Sequence, residues 1–215
     1  MQYGVFSDIH GNLAALRAVW NALTTLGLTE RPVFNAGDNV GYGDAPEECV
    51  NFLRTHPNIV TVQGNYDKNV AQFAERETEF HRKWGKSRPE KFSAIRRDSE
   101  IISVETRDWL LNLQKEMEFT LEGIPMLLTH YAPGVKEGLG QWTSDRRLRE
   151  LAGQTHAKIV ICGHTHTPFA RVAEGVLFLN PGTVGRSWHD GCAYAILTLN
   201  SGNPPTAQLY HTGKH

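Results

Sequence analysis

Cysteine is scarce in this chain of 215 residues: Cys49, Cys162 and Cys192 are an odd number without close spacing, which argues against a disulfide framework and for reduced thiols packed in a core. Apolar runs of 18 residues are absent, so no membrane-spanning helix is expected. The opening Met1-Gln2-Tyr3-Gly4-Val5-Phe6 lacks a charged segment with an apolar stretch behind it, and the expected setting is cytoplasmic, without a membrane partner. Net charge is nearly absent too. Lys and Arg number 22 against 23 for Asp and Glu, so no global field advertises nucleic acid or a membrane surface, and any charged function must be local. Internal repeats and low-complexity segments are also missing. What is present is an ordinary globular balance, 40% hydrophobic and 21% charged, at the size of one domain carrying at most a sizeable insertion.

Tyr3–Phe6 is a short apolar run that stops at Ser7-Asp8-Ile9-His10-Gly11-Asn12, a cluster of polar and turn-forming residues, so a strand is followed by a loop. Leu13, Leu16, Trp20, Leu23 and Leu26 then recur three or four apart until Gly27, which predicts a helix with a glycine stop. The pattern returns. Val33–Ala36 runs into Gly37-Asp38-Asn39, a helix is predicted from Pro46 to Arg54, and Ile59–Val62 runs into Gly64-Asn65-Tyr66-Asp67. Strands alternating with helices imply an α/β sheet with parallel pairs. Residues 68–115 change character, with helical stretches around Asn69–Lys83 and Thr106–Leu113 and Pro89 breaking the middle. Over 68–97 nine basic residues face four acidic ones, a net +5 that leaves −6 on the remainder. We read this segment as a helical, cap-like insertion in a single domain spanning 1–215. Hairpins are predicted about Glu122-Gly123 and Glu174-Gly175, a short helix at Arg146–Leu151 after Ser144, a buried strand at Lys158–Cys162, and final strands at Ala193–Leu199 and Gln208–His211.

Residue types that bind metals collect at the ends of these apolar runs: Asp8 with His10, then Asp38, Asn65, His130, and His164 with His166. Singly, each has a bland explanation. Asp8-Ile9-His10 could be turn chemistry, Gly37-Asp38 and Gly64-Asn65 are ordinary turn pairs, and His130 could be a satisfied half-buried histidine. Gly163-His164-Thr165-His166 is stronger, since two imidazoles one residue apart after a strand can aim two ligands at one place. Their joint placement decides. In open α/β sheets the loops at the carboxyl ends of strands converge on one crevice, where residues far apart in sequence meet. Two ions would be held there if one carboxylate bridged them, and ions about 3.5–4 Å apart are the usual clamp for in-line attack on phosphorus.

The order of these elements resembles the calcineurin-like metallophosphoesterase superfamily, whose pattern is D-x-H, G-D, G-N-H-D/E, a lone H and G-H-x-H. The match runs from Asp8 to His166 and, with Asn180-Pro181-Gly182-Thr183, covers nearly the whole chain. The resemblance implies an α/β sandwich of two mixed β-sheets flanked by helices, most like the compact single-domain prokaryotic phosphodiesterase branch. It implies one metal held by Asp8, His10, Asp38 and His166, and a second held by Asp38 as bridge with Asn65, His130 and His164. The implied reaction is hydrolysis of a phosphodiester by a metal-bound hydroxide, without a covalent enzyme intermediate. Mixed oxygen and imidazole donors suit Mn²⁺, Fe, Zn²⁺ or Ni²⁺, of which Mn²⁺ is the expected activator. Asn39, Arg186 and His189 are the expected substrate contacts.

One position departs from the pattern. Tyr66 stands where the family has histidine, so Gly64-Asn65-Tyr66-Asp67 keeps the amide but loses the imidazole thought to stabilise the transition state or protonate the leaving oxygen. A phenol of pKa about 10 is a much weaker acid, and Tyr66 with Asp67 is expected to act beside the metals in a reduced role, unless Tyr66 only packs in the site wall. The basic insertion, with Phe73, Phe80, Trp84 and Phe92 interleaved, could cap the site and grip phosphates; a solvated face with its aromatics turned to the core is the plainer expectation. The expected substrate is a small phosphate ester or nucleotide, with nucleic acid possible but not favoured. A phosphomonoesterase or protein phosphatase, a dinucleoside polyphosphate hydrolase and a non-catalytic trafficking scaffold are the alternatives, and oligomeric state is open. Tyr66→His is expected to raise turnover of alkyl phosphomonoesters, whose poor leaving groups need an acid most; no gain, or a loss, counts against that role for position 66.

Overall fold

The computed structural model describes residues 1–186 and 191–212. In chain order the elements are β1 (Gln2–Phe6), α1 (Leu13–Thr25), β2 (Val33–Asn35), α2 (Pro46–Thr55) and β3 (Ile59–Thr61). Helices α3 (Asn65–Ala71), α4 (Phe73–Trp84), α5 (Pro89–Ile101) and α6 (Val104–Asn112) follow. The remainder comprises β4 (Glu116–Leu121), β5 (Ile124–Thr129), α7 (Asp145–Ala152), β6 (Ile159–Ile161), β7 (Phe169–Ala173), β8 (Val176–Asn180), β9 (Ala193–Thr198) and β10 (Thr206–His211).

Two mixed five-stranded sheets form the sandwich, with orders β10-β9-β1-β2-β3 and β4-β5-β6-β8-β7. In the first, β1, β2 and β3 run parallel, with Val5 beside Phe34 and Val33 beside Ile59. In the second, β5, β6 and β8 run parallel, with Leu127 beside Val160 and Val160 beside Phe178. Alternation along the strands explains the layering. Tyr3, Val5, Phe34, Met126, Leu128, Ile161, Leu179 and Leu197 point between the sheets into one buried core. Phe6 and Val33 point outward against Leu16, Val19 and Leu23 of α1, while Leu127, Val160 and Phe178 meet Leu148 and Leu151 of α7.

The helix starts follow from capping. Asn12 ends the first polar loop by accepting the Ala15 amide at 3.0 Å, and Ser144 accepts the Arg147 amide at 3.2 Å. Between β3 and β4 the structure departs from the sequence expectation. Pro89 opens α5 rather than breaking a helix, because at the first helical position its missing N–H costs nothing. Asn65 likewise opens α3, so the Gly64–Asp67 cluster is a helix N-terminus instead of a loop. Phe73, Phe80 and Trp84 are buried with Val70, Ile95 and Leu110, so these three aromatics turn to the core, whereas Arg88 and Lys91 of the same segment line a cleft with Asp38 and His164. α5 docks on the loop after β2 through Asp98, which is fully buried, accepts the Gly41 amide at 2.6 Å and pairs with Arg97 at 2.6 Å. Cys49 and Cys162 are buried and unpaired, and burial pushes the Cys49 thiol up to about 12. Among the described residues no helix is long and apolar enough to cross a membrane.

Candidate metal centre

The carboxyl ends of β1, β2 and β3 meet those of β5 and β6 across the sandwich, and every residue expected to ligate a metal lies in the loops that follow them, except Asn65, which opens α3 just after β3. Backbone bonds lock these loops together. Asp8 and His10 donate their amides to the carbonyls of Gly37 and Asp38, each at 2.9 Å, and Gly185 donates to Asp8 at 3.0 Å. Approach is close enough that any side chain at Gly64 would collide with the backbone of Asp38. The backbone is also strained. Asp8, His10, Asp38, His164 and His166 have φ of 57°, 50°, 56°, 72° and 60°, in the left-handed region that non-glycine residues visit seldom. Such conformations cost on the order of 1–3 kcal/mol each and persist where surrounding structure over-determines them. Asn180 supplies part of that support, donating its amide to the Gly163 carbonyl at 2.8 Å and to Thr165 Oγ1 at 3.0 Å, beside His164. Thr183 does the same for Asp8, whose carbonyl it meets at 2.8 Å.

Two groups of donors result. Single ligand atoms of Asp8, His10 and His166 lie within 4.8 Å of one another, and those of Asp38, His130 and His164 do likewise. Asp8, His10 and His130 are held from behind, so that a second donor atom of each faces the centre. His130 Nδ1 donates to the Ala36 carbonyl at 2.7 Å and His10 Nδ1 to the Val40 carbonyl at 3.3 Å, which leaves both Nε2 lone pairs for the centre. Asp8 Oδ2 accepts Ser7 Oγ at 2.6 Å and the His164 amide at 3.1 Å, whereas Asp8 Oδ1 and His130 Nε2 are buried without any hydrogen-bond partner. A buried carboxylate oxygen and a buried imidazole nitrogen left orphaned in one site fit divalent metal ions. Asp38 spans the two groups: Oδ1 accepts the Tyr66 amide at 2.7 Å, and Oδ2 lies 3.3 Å from His130 Nε2 and 3.9 Å from His10 Nε2. The Nε2 atoms of His10 and His166 are 2.9 Å apart.

The electrostatics agree with metal binding. Burial pushes His10 and His164 down to about 4, so both imidazoles are neutral at pH 7, the form that ligates. For Asp38 burial disfavours the carboxylate, but His130 and His10 outweigh it and hold the group ionised. The same partnership, against the effect of burial, raises His130 to about 9, a charge that an ion would replace.

Asn65 lines the cleft with Asp38, His164 and His166, and its Oδ1 accepts the Tyr131 hydroxyl at 3.0 Å. Tyr66 is buried to 7% exposure with its ring edge-on to His10 at 5.0 Å, beneath the Lys91 ammonium at 4.5 Å, and its hydroxyl pairs with that of Tyr42. Gly41, at φ 98°, makes room for that ring. Asp67 is enclosed by donors. It accepts the amides of Asp38, Asn39, Val40 and Gly64 at 3.0, 2.8, 3.3 and 2.8 Å, and the Asn39 side chain at 3.0 Å. Asn39, expected to touch substrate, is instead fully buried, with its side chain spent on Asp67 and on the Asn35 amide at 2.6 Å. Arg186 lines the cleft with its guanidinium 3.6 Å over the Tyr42 ring, and His189 lies outside the described residues. Tyr42 and Tyr131 were missed by sequence reasoning, and Lys91 was read only as one of the basic residues of an insertion that could grip phosphates. Tyr131 had a signal in its place beside His130, whereas nothing local marks Lys91, which comes from α5.

Residues 1–202 match the model of the calcineurin-like phosphoesterase superfamily domain. The protein MJ0912 of Methanocaldococcus jannaschii is 30% identical over 180 residues, covering 84% of this chain and 68% of that protein. Among solved structures, a metallophosphoesterase from Sphaerobacter thermophilus superposes with a TM-score of 0.74 at 24% identity, covering 100% of this chain and 90% of the other. The hypothetical protein PH1004 from Pyrococcus horikoshii superposes with a TM-score of 0.84 at 13% identity, covering 100% and 88%.

Burial and the neighbouring Asp38 push the Asp67 pKa up to about 7, yet all five partners are donors, which favours the carboxylate. Asp67→Asn would turn an amide NH₂ against N–H groups already in place. Urea unfolding at pH 7 is expected to show a loss of about 2–3 kcal/mol; stability equal to the unsubstituted chain would mean that the native carboxyl is protonated and the account of the loop is wrong.

Proposed function

The chain belongs to the calcineurin-like phosphoesterase superfamily, and we propose that it is a metal-dependent hydrolase of phosphodiesters with two ions at the sandwich edge. The observation that carries the diester is the position of the centre between two open spaces. One is a cleft of about 470 Å³ walled by Tyr42, Tyr66, Pro89 and Arg186. The other is a groove of about 620 Å³ on the side of Gln63 and Tyr131. Both are lined by Asn65, Arg88, Lys91 and His164, so a phosphorus seated there has room for a substituent on each side. A monoester would fill only one.

In this reading Asp8, His10, Asp38 and His166 hold one ion, and Asp38, Asn65, His130 and His164 hold the other. The ions would supply Lewis-acid charge on the phosphoryl oxygens and an activated water, and Mn²⁺ fits the oxygen and imidazole donors. Asp38 would be the shared ligand, since its Oδ2 lies near His130 and His10 at once. Lys91, Arg88 and Arg186 line the cleft beside the ligands and would add fixed positive charge where negative charge develops. Tyr66 is a positioning residue, since burial and the Tyr42 bond raise its hydroxyl pKa and make it a still poorer acid. Asp67 positions Asp38 through the amides it accepts. Hydrolysis then adds water across one P–O bond, leaving a phosphomonoester and an alcohol.

Metal-stripped protein should cleave bis-p-nitrophenyl phosphate only when Mn²⁺ is restored, with kcat/KM at least about tenfold above that for p-nitrophenyl phosphate. Cleavage of the monoester alone would make this a phosphomonoesterase. Silence on both across Mn²⁺, Zn²⁺, Fe²⁺ and Ni²⁺ would remove the enzymatic reading.

A further inference from the structure

The groove beside the metal centre is lined by cations in two groups. Lys68, Arg76, Lys115 and Lys136 form one, and Lys83, Arg88 and Lys91 form the other, against the single acidic side chain of Glu116. They are brought together from α3, α4, α5 and the residue before it, the residue before β4 and the loop after β5. Lys68 stands three residues after Asn65 on α3, about one helical turn from the metal centre. Arg76 pairs with Glu79 at 2.7 Å, but among the described residues no salt bridge reaches Lys68, Lys83, Arg88, Lys91, Lys115 or Lys136. The crowding is felt: burial, then Lys115, Lys136 and Arg76, lower the Lys68 pKa. Like charges gathered in one concave space with few acidic side chains among them repel each other, and the repulsion is relieved when an anion of high charge binds.

We propose that the groove is a subsite for a run of contiguous phosphates, so that the substrate carries an oligophosphate on one side of the scissile phosphorus. The assignment of the groove to substrate rests on the phosphoesterase reading above. Two features favour adjacent phosphates over a nucleic-acid strand. Single-stranded nucleic acid is held by ring faces open for stacking. Here Phe80 and Trp84 are 1% and 8% exposed, and Trp84 is covered by the Lys83 and Lys91 ammonium groups at 5.0 and 4.7 Å. Tyr131, the remaining ring, packs on His164 at 4.6 Å with its hydroxyl on Asn65. In addition, a cluster in which three cations bear on Lys68 suits a compact multiple charge better than charges spaced one per nucleotide.

The test is calorimetric titration of the full chain, as purified and in about 150 mM salt, with tripolyphosphate, orthophosphate and a thymidine decanucleotide. Tripolyphosphate should bind at least tenfold tighter than orthophosphate and tighter than the oligonucleotide. Lys68→Gln with Lys136→Gln should weaken it at least tenfold, and Lys115→Glu alone should weaken it in the same direction. Affinity unchanged in both variants would overturn the proposal, because the anion would then sit elsewhere. Tighter binding of the oligonucleotide would overturn it in favour of a nucleic-acid strand. Hydrolysis of bis-p-nitrophenyl phosphate by the same unsubstituted preparation reports on the metal centre separately: no hydrolysis with lysine-dependent tripolyphosphate binding would sink the diester reading and leave the groove standing.

Discussion

The loops that carry the donor groups depend on one buried carboxylate that belongs to neither group. Asp67 sits in the first turn of α3 and accepts the amides of Asp38, Asn39 and Val40, so it fixes the loop after β2 against the N-terminus of a helix from the next unit. That bond set places Asp38 between the two donor groups and, through the Tyr66 amide, fixes which oxygen faces them. The same loop then receives α5 through the Asp98 bond to Gly41. A group at the junction of β2, α3 and the helical segment therefore decides the geometry of ligands carried by other strands.

The ligands themselves trade local stability for aim. Five of the seven expected ligands adopt left-handed backbone conformations, and two of their polar atoms are buried without partners. Neither feature favours folding of the isolated chain, and metal binding at the two donor groups would offset their cost. The cost is carried by surrounding order, namely the locked loops, Asn180 behind His164 and Thr183 behind Asp8.

Much of this was legible in the sequence because residue type and strand position coincide. Asp8, His10, Asp38, His130, His164 and His166 follow apolar runs, and the parallel topology that gathers them follows from the strand and helix alternation. What escaped was set by tertiary packing. Asn39 looks like any polar residue beside a ligand, and only the fold shows its side chain turned inward to Asp67. Pro89 is a breaker in the middle of a helix and a starter at its first position, and sequence pattern alone did not say which. Lys91 reaches Tyr66 because α5 packs over α3, a contact between residues 25 apart that no local motif records. Tyr66 was visible as a departure, but its bond to Tyr42 and its cover by Lys91 were not.

The central claim is that the two donor groups joined at Asp38 form one centre for two ions. Native mass spectrometry of the intact chain after equilibration with Mn²⁺ and removal of free metal measures this directly. The account requires two ions per chain as the dominant species. A single ion, or none, under conditions where the chain is folded would contradict it.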